Sequence, residues 1–218
     1  MPDDALSSSI ADETASAIEG FPTVVDRDSV ALLQHLHPNV YSWSVWHEAT
    51  ECFLNGYVLV TPQGVLIIDP PLFDEYMPLA FEAVGSPLLA VIQLSTFALE
   101  ASQAIAENLN IPQWRMGQDT IEALTTLLPE GIEALPIGSA DVALYQPTEG
   151  LLFMSDVLLQ APAQHTFALT QNAFEVELLL KQLLTKVLNT KLEALYVSAG
   201  EPLLTNATPV LTQFLSLL

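Results

Sequence analysis

Two runs of strand hairpins, each followed by helices, succeed one another along this chain, and that order limits the possible folds more than any single residue does. The first run opens at "YSWSVW" (41–46), where large and small residues alternate with the period of a strand. "CFLNGYVLVTPQGVLIIDPP" (52–71) reads as two strands joined at "TPQG", with Pro62 in the first central turn position and Gly64 closing the turn. An amphipathic segment around 76–84 and the apolar strand "LLAVIQL" (88–94) come next. Helical spacing at Leu99, Ile105 and Leu109 and a short strand at "QWRM" (113–116) follow, and "DTIEALTTLLPEG" (119–131) reads as a turn of helix running into a loop.

The second run has three strand-like stretches, "IEALPIG" (132–138), "DVALYQP" (141–147) and "GLLFMSDVLL" (150–159). Residues 173–190 form the longest helical pattern, "LEALYVSAGEP" (192–202) is a strand entering a glycine loop, and "NATPVLTQFLSLL" (206–218) is a closing helix with Asn206 or Thr208 as its cap. Two sheets packed together with helices outside satisfy this order: an α+β, four-layer αββα sandwich. Residues 1–37 form an acidic extension ahead of a domain spanning 38–218. Within the extension "DRDSVALLQHLHPNV" (26–40) reads as one short helix, N-capped by Asp28 or Ser29 and ended by Pro38.

Charge removes several functions. The chain has 26 acids against 5 bases, a formal net charge of −21. Such a surface repels phosphate backbones and anionic lipids, and five scattered cations assemble no basic patch, so neither nucleic acid nor membrane is an expected partner. No apolar run reaches bilayer length, and the acidic start lacks the basic and apolar regions of a secretory signal, so the expectation is a soluble, cytoplasmic protein. Its partner would be a small molecule or a protein, with a homo-oligomer left open. The single cysteine, Cys52, excludes an internal disulfide and a cysteine-based metal site, and reads as a buried thiol.

From about residue 38 to the end, the chain resembles the metallo-β-lactamase-fold hydrolase superfamily. "NGYVLVTPQGVLIIDPP" resembles that family's opening hairpin, which ends in an aspartate, here Asp69. "LLAVIQLSTFALEAS" stands where the family has a strand and its Thr-His-x-His-x-Asp-His loop. "LPIGSADVALYQPTEGLLFMSDVLL" resembles the second hairpin ending in Gly-Asp, here Ser155-Asp156, and "LEALYVSAGEPLL" resembles the last strand with its Gly-His-Gly loop, here Ser198-Ala199-Gly200. The resemblance implies the sandwich fold and a two-metal hydrolase site at these four strand ends.

The residues depart from that implication. In the most natural register Ser95 takes the threonine position and Glu100 the aspartate position, while Thr96, Ala98 and Ala101 replace the three histidines. A one-residue slip places Phe97, Leu99 and Ser102 there instead. Ala199 replaces the last-loop histidine, and "PIGSADVALY" offers none. The whole chain has four histidines, His35, His37, His47 and His165, the first three ahead of the opening hairpin motif. Zinc-type sites need several imidazole, thiolate or carboxylate ligands around one centre. The expectation is therefore a non-catalytic homologue with no cofactor. The alternative is a hydrolase of the same superfamily with an atypical or carboxylate-only metal site, the latter drawing on Asp69, Glu100 and Asp156, with or without His165.

The residual cleft candidates are Asp69, Ser95, Thr96, Glu100, Asp156 and His165. Each has a plainer role. Ser95 or Thr96 suits a helix N-cap, and Asp69 and Asp156 suit hydrogen bonds to backbone amides. His35 and His37 read as exposed residues near a helix end, and His47 and His165 as loop residues. Trp43, Trp46, Phe53 and Tyr57 read as core packing and cross-strand pairs. Lys181, Lys186 and Lys191 step by five along a helix and make no stripe. No Gly-x-Ser-x-Gly elbow, P-loop or Gly-x-Gly-x-x-Gly is present.

Overall fold

The hairpin closed by Thr61 and Gly64 sets the first sheet. In the computed structural model, which describes residues 33–48, 51–72, 77–137, 141–161, 166–169 and 174–217, strands β3 (Cys52–Thr61) and β4 (Gly64–Ile68) pair antiparallel with Tyr57 opposite Ile68. The Thr61 hydroxyl donates to the Gly64 carbonyl at 2.7 Å and accepts from the Gly64 amide at 3.2 Å, fixing the turn. Strands β1 (Gln34–His37) and β2 (Val40–His47) extend the sheet antiparallel on one side. Parallel strands β5 (Leu88–Gln93) and β6 (Gln113–Arg115) extend it on the other. Parallel neighbours require crossovers: helix α1 (Met77–Ala83) links β4 to β5, and α2 (Leu99–Leu109) links β5 to β6.

After helix α3 (Ile121–Leu127), strands β7 (Glu133–Pro136), β8 (Val142–Gln146) and β9 (Leu151–Met154) form an antiparallel meander. A ribbon of β10 (Leu158–Ala161) and β11 (Thr166–Leu169) and the helix α4 (Phe174–Leu188) then lead to β12 (Ala194–Val197), parallel to β9 at the sheet edge. Helix α5 (Ala207–Leu215) closes the chain. Both sheets carry apolar residues on both faces, as sheets covered on two sides must. Tyr57, Leu66, Ile68 and Ile92 meet Leu144, Phe153 and Tyr196 between the sheets. The rings of Phe153 and Tyr196 stack at 4.7 Å, and Tyr57 meets Tyr196 edge-on at 5.2 Å. Val65, Ile67 and Val91 face α1 and α2 through Phe81 and Ile105. Leu152, Leu195 and Val197 face α4 and α5 through Leu184 and Leu211. The αββα layering is thus present. Among the described residues no helix is long and apolar enough to cross a membrane.

Two local expectations need correction. Gln34–His37 are strand, so the short helix does not run to Pro38; the part of that stretch before Leu33 lies outside the described residues. Leu33 enters the outer core and Leu36 faces the inter-sheet core, a division between two faces that a strand provides. Pairing with β2 outweighs the helical spacing here. The helical spacing at Leu99, Ile105 and Leu109 is borne out by α2, whose buried face is Ser102, Ile105 and Ala106, with Leu99 exposed. Neither Asn206 nor Thr208 caps α5 through its side chain: Asn206 has a left-handed backbone and makes no cap bond, and the Thr208 hydroxyl donates to the Leu192 carbonyl at 2.7 Å.

Gly56, on β3 opposite Trp43, is a position where the first sheet tolerates little change. A Cβ there would lie 2.6 Å from the Pro71 ring, 2.9 Å from the Trp43 ring and 3.0 Å from the Pro70 backbone. Gly56→Ala is expected to lower stability by about 1–3 kcal/mol through overpacking. It should appear in urea unfolding as a lower midpoint at unchanged slope; an unchanged midpoint would show that the two rings yield freely.

Candidate functional site

Strands β4, β5, β9 and β12 all end at one edge of the sandwich, and the segment after each contributes to a buried polar cluster. Asp69 follows β4 with φ of 47°, a left-handed conformation that aspartate tolerates better than most residues. That backbone turn aims its carboxylate across the end of β5. One oxygen accepts the amides of Leu94 at 2.6 Å and Ser95 at 2.8 Å; the other accepts the Ser198 hydroxyl at 2.5 Å. Ser198 Oγ also lies 3.0 Å from the Met154 carbonyl. Asp69 and Ser198 therefore join β4, β5, β9 and β12 through side chains.

Asp156 makes the second tie. One of its carboxylate oxygens accepts both the Thr96 amide at 3.1 Å and the Thr96 hydroxyl at 2.6 Å. Ser95 N-caps the 3-10 turn Thr96–Ala98, its hydroxyl accepting from the Phe97 amide at 3.0 Å. The loop after β5 is thus held by two aspartates and its own serine. Past Ser198 the chain crosses to the first sheet. The Asn55 amide donates to the Ser198 carbonyl at 2.8 Å, and the Gly200 amide to the Phe53 carbonyl at 2.9 Å. The Asn55 side chain donates to the carbonyls of Val197 at 3.0 Å and Gly200 at 2.7 Å.

Five of the six candidates from the sequence lie within the described residues, and four of them meet: Asp69, Ser95, Thr96 and Asp156. Glu100 is exposed on α2 and does not join them, and His165 lies outside the described residues. Ser198 belongs to the site and was not a candidate; neither was Asp141, which makes no bond to the cluster but feels the charge of Asp156. Asp141, buried just ahead of β8, was signalled only by an acid preceding an apolar strand. His35 lies against Tyr41 with ring centres 4.9 Å apart, and His37 Nδ1 is 3.3 Å from Glu149 in the β8–β9 turn, at the opposite end of the sandwich. Both are on a strand rather than a helix end. His47 is the last residue of β2, not a loop residue, with its ring 5.7 Å from that of Phe97.

Testing this arrangement against a metal centre gives a poor fit. Among the described residues no three His, Cys, Asp or Glu side chains come together to hold an ion, and Asp69, Glu100 and Asp156 do not assemble. Ala98 and Ala199 are buried, Ala199 in a small apolar cluster with Cys52 and Leu54, so neither position has room for an imidazole without repacking. The described cations are also elsewhere: Arg115 pairs with Asp119 at 3.7 Å and Lys186 with Glu133 at 3.4 Å.

Burial and the charge of Asp156 act on two of the carboxylates at this end of the sandwich. Burial raises Asp69 to a pKa of about 7, outweighing the bonds from Ser198, Ser95 and Leu94, and the charge of Asp156 adds to the rise. Burial and Asp156 likewise raise Asp141. In neutral form Asp69 would donate to Ser198 Oγ, freeing the serine proton for the Met154 carbonyl, and every group in the chain of bonds would be satisfied.

No protein-family model matches the sequence, and no curated protein matches it. Solved structures do. A metallo-β-lactamase from Pontibacter korlensis superposes with a TM-score of 0.61 at 15% identity, over 86% of this chain and 98% of that one. A metallo-β-lactamase from Hirschia baltica gives 0.62 at 11% identity, over 86% and 98%. One from Erythrobacter litoralis gives 0.60 at 16% identity, over 85% and 90%. The chain has the metallo-β-lactamase fold.

The raised Asp69 makes a pH prediction. Folding favours its protonated form, so its contribution to stability is fully present below the unfolded value of 3.8 and is lost as pH rises through about 7. Asn keeps the left-handed backbone and the neutral bonding pattern. Wild type is expected to lose roughly 3 kcal/mol more stability between pH 5 and pH 8 than Asp69→Asn does. Urea unfolding of both proteins at the two pH values measures this, and equal losses would refute the assignment.

Proposed function

On this metallo-β-lactamase fold, we propose that the chain is a binding protein, a relative of metal-dependent hydrolases that holds a small molecule or a protein and does not turn over a substrate. The bond between Asp156 and Thr96 carries the reading. At the strand end where the resemblance would place a metal-bridging carboxylate, the carboxylate accepts a hydroxyl and an amide of this chain's own loop. Hydrolysis in this family draws on bound ions to make a nucleophile from water and to polarise the oxygen under attack. Asp69, Asp156, Ser95, Thr96 and Ser198 bind one another and position the loop, a structural use of the same strand ends. A cytoplasmic location belongs to the same proposal.

Metal content tests the proposal. Protein purified without chelator is expected to carry well under one equivalent of zinc, iron or manganese per chain by elemental analysis. Stoichiometric, tightly held metal would overturn the reading in favour of a hydrolase with an atypical site.

A further inference from the structure

The hairpin of β2 and β3 projects past the end of β4, and its two faces differ. On one face His47 meets Phe97, and Cys52 and Leu54 are buried against Ala199. On the other, Trp46 and Phe53 are directly paired across the strands, edge to face with ring centres 5.2 Å apart, yet 50% and 49% exposed. The backbone under the pair is tied on the β3 side: Gly200 donates to the Phe53 carbonyl, and Leu54 forms a bridge with Ala199. Glu48 and Glu51 flank the hairpin turn next to this pair, and Glu201 follows Gly200. No described lysine or arginine lies on the hairpin. Half-exposed aromatics carry large apolar area at little entropic cost on binding.

Charge selects the occupant. A second copy of a chain with net charge −21 would bring acid to acid. The chain's own first 32 residues hold seven acids and one arginine and meet the same repulsion. We propose that the Trp46–Phe53 face docks a segment of another protein in which apolar side chains are flanked by lysine or arginine. The apolar groups cover the aromatic pair, and the cations meet Glu48, Glu51 and Glu201. This names the partner class for the binding reading above. A chain that held stoichiometric metal and still bound such a segment would keep this inference and lose that reading.

The test uses full-length protein and three labelled synthetic peptides of equal length, alternating Leu/Lys, Ser/Lys and Leu/Glu, followed by fluorescence anisotropy at 0.15 M salt, where exposed charges are screened beyond about 8 Å. The Leu/Lys peptide is expected to bind saturably, one per chain, at least tenfold more tightly than either of the others. Trp46→Ser with Phe53→Ser should weaken it at least tenfold, and Glu48→Gln with Glu51→Gln several-fold with a shallower salt dependence. The second pair leaves the apolar groups in place and serves if the serine variant is poorly folded. Equal binding of Leu/Lys and Ser/Lys peptides would show attraction to overall charge alone and overturn the proposal. So would undiminished binding by both variants, or a wild-type dimer that the serine variant abolishes.

Discussion

The carboxylate of Asp69 is the point through which the strand ends of both sheets are connected. It lies buried past β4, takes two amides from the loop after β5, and reaches Ser198 past β12, which contacts the Met154 carbonyl at the end of β9. Removing a partner from such a cluster leaves buried donors unsatisfied, at a cost of about 1–3 kcal/mol each. The loop after β5 adopts its shape because of this anchor, and Asp156 and Ser95 complete it. The crossing at Ser198–Gly200, which joins the second sheet to β3, starts from the same serine.

This cluster gives the site its character. A carboxylate surrounded by donors of its own chain, in a pocket where burial disfavours charge, is suited to holding backbone in place. Where strand ends surround a metal, imidazoles and carboxylates converge on a common point; here hydroxyls and amides converge on two carboxylates instead. The outer hairpin depends on the same arrangement, because the segment after Ser198 fixes Phe53 and presents the Trp46–Phe53 pair at the rim.

Much of the fold was legible because its signals are local. The turn at Thr61–Gly64, the apolar runs of β3, β4 and β5, the long α4 and the cap at Ser95 each follow from short-range chemistry. Asp69 and Asp156 were legible as acids closing apolar strands. What escaped depends on distant partners. Strand β1 has only four residues and owes its conformation to pairing with β2, so its spacing alone suggested a helix. The cross-strand pairing of Trp46 with Phe53 follows from the sequence, but the half-exposure of that pair does not. Alternation places residues on a face but does not say whether anything covers it, and Tyr57 is buried between the sheets while Phe53 is left half-exposed. Asp141 comes to the same end of the sandwich as Asp156 because β8 runs antiparallel to β9.

The most direct measurement is amide hydrogen exchange at Leu94, Ser95 and Thr96 by NMR, with and without a tenfold excess of zinc. If the aspartates hold this loop themselves, the three amides exchange slowly, through openings close to global unfolding, and zinc leaves their rates and shifts unchanged. Rapid exchange without metal, with protection gained when zinc is added, would contradict the account, since it would mean that the loop awaits an ion to order it.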